Sequence, residues 1–329
     1  MMRAVARWTV AKIGGAVLVV WIVATLVFFA LRLSGDPLEA ILGGPGSQAG
    51  EDTVRAAIEK YALDEPLAWQ YLLQLRDIAT LQLGDSFARR QPVADLLAAQ
   101  LPATLLLAAL ALALAWAIAV AGSIIQAVSR GRTGIVVGAV MRGLEIVASV
   151  TPQFWLGAVL IMLFASGLGW LPATSAGSSP AALVMPVVTL AIPIAGFLSQ
   201  VSRDALDEAD AAPFATTSRS RGAGEMRVLL RHTLRHASLP AVALSGWAFG
   251  NLLSGAVVVE VLFARPGLGR LLQEAALSRD VPVVIGAVVV IALMYIVVVI
   301  LTDAIELLVD PRLRARAASR RAPEIAVGS

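Results

Sequence analysis

His232 and His236 stand four residues apart, a spacing that places two imidazoles on one face of a helix. They are the only histidines, and the chain has no cysteine. A metal site would therefore have to recruit distant carboxylates, and solvated or headgroup-facing histidines are the simpler reading. Lys12 and Lys60 are the only lysines, and neither falls in a G-x-x-x-x-G-K-[ST] frame. The chain thus has no phosphate-cradling loop of its own. The basic, glycine-containing "SRGRTG" at Ser129–Gly134 reads as a short turn between apolar runs. No G-x-S-x-G elbow occurs. This inventory does not describe an enzyme, and it assigns no catalytic residue, no metal and no cofactor to the chain.

The remaining ionisable groups are informative because of where they sit. Arg142 and Glu145 lie three apart inside an apolar run and are expected to pair. Glu260 lies near the end of another run, and Asp303 and Glu306 near the end of a third. Charged groups in such surroundings face a cavity or a protein neighbour rather than lipid. Glu145 and Glu260, with Pro152 and Phe154 from "SVTPQFWLG", are the candidate pathway or gate residues. No ladder of acids crosses an apolar run, so no proton or sodium relay is visible.

The elements that must position these groups follow from composition. The 329 residues are 58% hydrophobic and 15% charged, with mean hydropathy +0.80. A soluble chain is about 45–50% apolar and about 25% charged. The chain is therefore a membrane protein, and its sequence pI near 9.8 reflects basic segments beside apolar runs, not a nucleic-acid surface. Six stretches approach the roughly 20 apolar residues a span requires. They are Thr9–Leu31, Pro102–Val128, Ile135–Ala165, Ala181–Val201 (broken by Pro186 and Pro193), Leu239–Leu262 and Val281–Val309. Runs this long and uniform predict helices, not barrel strands. The first is too long for a signal-peptide core and lacks a small-x-small cleavage site, so it reads as an uncleaved span.

Lysine and arginine set the orientation. With both termini in the cytoplasm, 17 of the 26 basic residues fall inside and 9 outside, as the positive-inside rule requires. Six of those nine lie in or beside a long loop, where the rule counts little. The expected organisation is residues 1–101, the first span with an external segment; 102–312, a five-helix core with a cytoplasmic loop at about 203–238; and 313–329, a basic cytoplasmic tail. In the external segment, "TVRAAIEKYAL" and "LAWQYLLQLRDIA" carry helical apolar spacing.

The loop at 203–238 is the chain's most unusual stretch. After Arg203, "DALDEAD" makes an acidic turn. Pro213 suits the first turn of a new helix, and Gly222 and Gly224 suit its end. Met226, Leu229, Leu230 and Leu234 then form an apolar stripe, with Arg227, Arg231 and Arg235 on another face. Taken alone, two short basic helices joined at glycines fit lipid headgroups or a protein partner equally well.

Quoted in full, "TTSRSRGAGEMRVLLRHTLRHASLPAV" resembles the EAA-type coupling loop of ABC-importer permeases, in the dipeptide, oligopeptide and nickel branch. "FALRLSGDPLEAILG", "YALDEPLAWQYLLQLRDIATLQLGDSF", "PVADLLAAQLPATLLLA", "SVTPQFWLG", "LGWLPATS", "MPVVTLAIPIAG", "VVVEVLFARPGLGRLL" and "LLVDPRLR" continue the resemblance in order, from about Arg7 to Arg314. The resemblance implies an all-α type I importer permease in the bacterial inner membrane. It implies two ATPase subunits that carry ATP and Mg, a second related permease and an extracytoplasmic substrate-binding protein. It implies a peptide substrate, with nickel or another chelate as the alternative. A stand-alone secondary transporter or channel is the alternative of a different class. Within the loop, Pro213 and Phe214 stand where an acidic-aromatic pair is more typical. In the segment before the glycine, Thr217, Ser218 and Arg219 occupy the family's polar, alanine and basic positions, with serine in place of the usual alanine, and Gly222 is the glycine. The resemblance casts Phe214 as the anchor in the ATPase groove, Arg219 and Arg221 as partners for its acidic rim, and Gly222 as the turn.

Overall fold

The structure is a computed structural model that describes residues 2–33, 38, 42, 51–60, 62–129, 131–175, 179–228 and 233–309. The basic tail at 313–329 lies outside the described residues, as do Leu229, Leu230, Arg231 and His232 and the side chains of His236, Asp303 and Glu306. Twelve α-helices are described: α1 (Met2–Leu33), α2 (Glu51–Lys60), α3 (Leu67–Ala79), α4 (Val93–Val128), α5 (Gly131–Val150), α6 (Gln153–Leu160), α7 (Ala181–Ala211), α8 (Pro213–Ser220), α9 (Glu225–Val228), α10 (Leu234–Leu262), α11 (Leu268–Leu277) and α12 (Val281–Val309). A π-helical turn, Ile161–Gly167, continues α6. Among the described residues the only β feature is a single bridge between Asp85 and Pro92. This is the expected answer to a solvent that cannot hydrogen-bond the backbone.

Among the described residues, five helical stretches are long and apolar enough to cross a membrane: Val93–Gln126, Arg132–Val150, Ala181–Ala211, Val242–Leu262 and Val281–Thr302. The first expected span is the helix α1, whose apolar part, Val17–Ala30, is shorter. The third, expected as one run over Ile135–Ala165, is split in two. Helix α5 ends at Val150 and α6 begins at Gln153, because proline at 152 pushes Thr151 away from the helical region. Helix α7 departs in the opposite direction. Expected to be broken by Pro186 and Pro193, it is continuous over Ala181–Ala211. Pro186 has no N–H for the carbonyl of Ala182, and the Ser175 hydroxyl donates to that oxygen instead, at 2.6 Å. A side chain from outside the helix thus restores the missing bond.

The chain divides into two units, each gathering three stretches. The first comprises Met1–Leu110, Gln153–Leu190 and Leu253–Ile296. In it, α3 lies on α1: the rings of Phe28 and Tyr71 are 5.4 Å apart, and Tyr71 Oη and Thr25 Oγ1 share a 2.6 Å hydrogen bond. Ala24, Ile78, Ile285 and Val289 form a buried cluster under that contact. The two helices read from the sequence between residues 51 and 79 are both present, as α2 and α3.

The second unit comprises Ala111–Pro152, Ala191–Leu252 and Val297–Ser329. Its helices approach closely at small residues, as helices in lipid do when dispersion is the main attraction between them. A Cβ on Gly196 of α7 would stand 2.6 Å from the Glu145 carbonyl oxygen and 2.7 Å from the Ser149 nitrogen of α5. Trp116 Nε1 donates to Ser245 Oγ at 3.0 Å, and Phe197 stacks on Trp247 with centroids 4.6 Å apart. On α5, Ile135, Val136, Val140, Leu144 and Val147 are exposed, an outward apolar face suited to a lipid solvent.

Candidate functional site

The seven residues expected to couple the chain to a partner all lie on α8 and the turn that ends it. Ala212 precedes the helix in an extended conformation, and Pro213 takes the first helical position, where a missing N–H costs nothing. Thr217 Oγ1 donates to the Pro213 carbonyl at 2.8 Å, and Ser220 Oγ to that of Thr216 at 3.0 Å. The helix stops at Gly222, whose φ is +82°. The Gly222 N–H donates to Arg219 O at 2.9 Å and the Ala223 N–H to Ser218 O at 3.1 Å. These paired bonds are a Schellman motif, and its left-handed position is the reason for a glycine there.

Ala215 is fully buried and fixes the inward face of α8. Pro213, Thr217 and Arg221 are exposed, while Phe214, Ser218 and Arg219 are partly buried. Arg219 has a partner within the chain: its guanidinium pairs with the carboxylate of Asp210, from the acidic turn that closes α7. The acidic run thus tethers α8, a role its sequence alone did not reveal. Val228 of α9 is buried, and Thr233 donates to its carbonyl at 3.4 Å. The stripe expected over Met226–Leu234 falls on side chains outside the described residues.

In the same unit, Glu145 is buried, but not against Arg142. Its carboxylate pairs with Arg203 of α7, 58 residues away, while Arg142 is exposed. Gln126 of α4 donates to Glu145 Oε1 at 3.0 Å. Gln200 donates to the Glu145 carbonyl at 3.2 Å and to Ser149 Oγ at 3.0 Å. The intrahelical pair does not form because the helix turns Arg142 outward. A buried carboxylate needs an enclosed cation, and α7 supplies one.

Glu260, in the first unit, is fully buried at the N-terminus of α11. Its carboxylate accepts from Thr104 Oγ1 at 2.6 Å and from the backbone N–H groups of Gly269 at 2.8 Å and Arg270 at 3.2 Å. Thr104 Oγ1 in turn accepts the Leu268 N–H at 2.8 Å. A carboxylate on the free N–H groups and positive dipole end of a helix is a cap. Gly267 allows the approach, since a Cβ there would collide with the carboxylate. Burial lowers the Arg265 guanidinium from its ordinary range, and the nearby Glu260 charge works against that shift. Of the other candidate pathway residues, Pro152 is exposed at the α5–α6 break and Phe154 is exposed on α6. Glu145 and Pro152 belong to the second unit, and Phe154 and Glu260 to the first.

Sequence reasoning missed Asp280. It is buried, and its carboxylate takes the Ser86 hydroxyl at 2.5 Å and the N–H groups of Phe87 at 3.1 Å and Ala88 at 3.2 Å. It pins the "GDSFARR" turn to the start of α12. The available signal was an aspartate immediately before a helix whose second residue is proline.

Residues 119–315 match the family described as "Binding-protein-dependent transport system inner membrane component". The chain is 33% identical over 316 residues to a putative peptide transport system permease protein of Brucella abortus (strain 2308), covering 92% of this chain and 97% of that one. It is 31% identical over 311 residues to the glutathione transport system permease protein GsiC of Escherichia coli (strain K12), covering 94% and 99%. Among solved structures, an inward-facing conformation of the MetNI methionine ABC transporter superposes with a TM-score of 0.54 at 19% identity, covering 67% of this chain and 98% of that one. At that identity the likeness speaks for the fold.

Proposed function

The chain belongs to the family of binding-protein-dependent transport system inner membrane components, and on that premise we propose that it is the peptide-importing permease whose ATPase contact is α8. It is a multi-pass inner-membrane transport subunit of the ABC importer class. The observation that carries the proposal is the short, Schellman-closed α8, inside the family-matched region, with Pro213, Thr217 and Arg221 exposed. Peptide cargo is supported by the functions named for relatives that align along almost the whole chain. Those functions favour di- or oligopeptides over a nickel chelate.

In this reading the termini are cytoplasmic, a second related permease completes the path, and two ATPase subunits carry ATP and Mg. ATPase closure pulls on Pro213–Gly222. The motion shifts the path only because the ATPases interact differently with the inward and outward states. Phe214 seats in the ATPase groove and Arg221 meets its acidic rim. Arg219 does so only after leaving Asp210. The external segment and the "ARPGLGRLL" stretch meet the binding protein.

The test is to purify the complex from cells, identify the co-purifying ATPase and binding protein, and reconstitute the assembly. ATP-dependent uptake of a peptide delivered by that binding protein is expected. Uptake by this chain alone without ATP would establish the stand-alone transporter instead.

A further inference from the structure

The geometry points to a receptor for an acidic side chain on the first unit, lined by Arg89, Gln100, Arg270, Leu271 and Glu274. We propose that its occupant is an aspartate or glutamate on the docking face of the binding protein. This rests on the reading above, in which α11 and the turn at 84–92 are external. The cleft holds about 200 Å³, below the roughly 300 Å³ at which small-molecule pockets begin. It suits one side chain better than a peptide.

Its charge is unbalanced. Arg89 donates to Glu274 Oε2 at 2.6 Å and Arg270 Nε to Glu274 Oε1 at 2.8 Å, so two guanidiniums share one carboxylate. Arg270 also donates to the Ala264 carbonyl at 2.7 Å, which leaves its second terminal nitrogen without a partner among the described residues. Among the same residues Arg89 uses one terminal nitrogen. Guanidinium donors with capacity to spare, set side by side, are suited to a further carboxylate. Glu260 already occupies the N-terminus of α11, so the attraction comes from side chains and not from the helix dipole.

Both arginines are held in place. Asp280 grips the backbone at Phe87 and Ala88, next to Arg89, and Glu260 grips the backbone of Arg270 itself. Two buried carboxylates thus hold the two cations that face each other across Glu274. A charged group on a positioned frame loses little entropy on binding. The family's dependence on a binding protein supplies the partner that must reach this surface.

The experiment uses the complete transporter in nanodiscs, with its own binding protein titrated and ATPase stimulation read. Arg89→Gln and Arg270→Gln are expected to raise the half-saturating concentration at least about fivefold and to flatten its rise between about 0.05 and 0.5 M salt. Glu274→Gln, which frees both guanidiniums, is expected to lower it. Arg270→Lys is expected to recover part of the loss. If all three Gln variants weaken docking alike, the cleft is structural and the proposal fails. It also fails if none moves the half-saturation point. The chain has no cysteine, so Leu277→Cys, at an exposed position of α11, reports sidedness. Labelling by an impermeant thiol reagent from outside is expected. Labelling only from inside would overturn the orientation and the receptor together, whereas outside labelling with unchanged titrations would sink the receptor alone.

Discussion

Glu145 on α5 and Arg203 on α7 form an enclosed ion pair, with side-chain exposures of 5% and 11%. Gln126 of α4 and Gln200 of α7 bond the same glutamate through its carboxylate and its backbone carbonyl. Arg203 lies on the helix that runs directly into α8, so the pair fixes the root of the segment proposed to meet the ATPase. Removing one partner strands the other charge. Glu145→Ala or Arg203→Ala is expected to cost about 3–5 kcal/mol, while Glu145→Leu with Arg203→Met is expected to be close to neutral. Unfolding in mixed micelles measures both. Equal losses in the single and double variants would contradict the assignment.

Gly222 tests the turn separately from the helix. Valine at φ +82° is strained, whereas asparagine tolerates the left-handed region. Gly222→Val is expected to leave membrane levels intact while peptide uptake falls far more than ATP hydrolysis. Gly222→Asn is expected to stay near wild type. Uptake and ATPase assays on reconstituted complexes read the difference, and normal uptake by the valine variant would remove this turn from the coupling route.

Asp280 makes a prediction about the turn it holds. Asp280→Ala removes acceptors from the Ser86 hydroxyl and the N–H groups of Phe87 and Ala88. Limited trypsin digestion of the purified protein is expected to cut after Arg89 or Arg90 markedly faster in this variant. Unchanged cleavage would mean that other contacts hold the segment.

Gly196 is where α7 meets the α5 backbone. Gly196→Ala places a methyl group where the Glu145 carbonyl and Ser149 nitrogen already stand. Overpacking of this kind costs about 1–3 kcal/mol. A lower unfolding midpoint in detergent is expected, with no matching loss for Gly138→Ala on the same unit, where a Cβ meets nothing within 4 Å.

What the sequence revealed and what it concealed follow from the range of the interactions involved. Long apolar runs announced the helices, because lipid leaves the backbone no alternative. The α8 turn was legible because its determinants, Pro213 and Gly222, act within a few residues. The partner of Glu145 was not, because a residue three positions away on its own helix competed with one 58 positions away that only packing could bring near. Prolines misled in both directions. Pro152 divides a run that looked continuous, and Pro186 leaves intact a helix that looked broken, since Ser175 arrives from another segment. Glu260 was visible as a charge near a helix end, but its use as a cap for α11 depends on contacts with Thr104, 156 residues earlier.

The closed end of α8 has one more consequence. The carbonyls of Thr217, Ser218 and Arg219 are engaged by the N–H groups of Arg221, Ala223 and Gly222, and those of Pro213 and Thr216 by side-chain hydroxyls. A partner docking on this helix would meet few open main-chain acceptors, so its recognition would be spelled in side chains. The turn therefore works like a typeface that stays fixed while the letters change. A change of side chain at Ser218 leaves in place the main-chain bonds that close the turn.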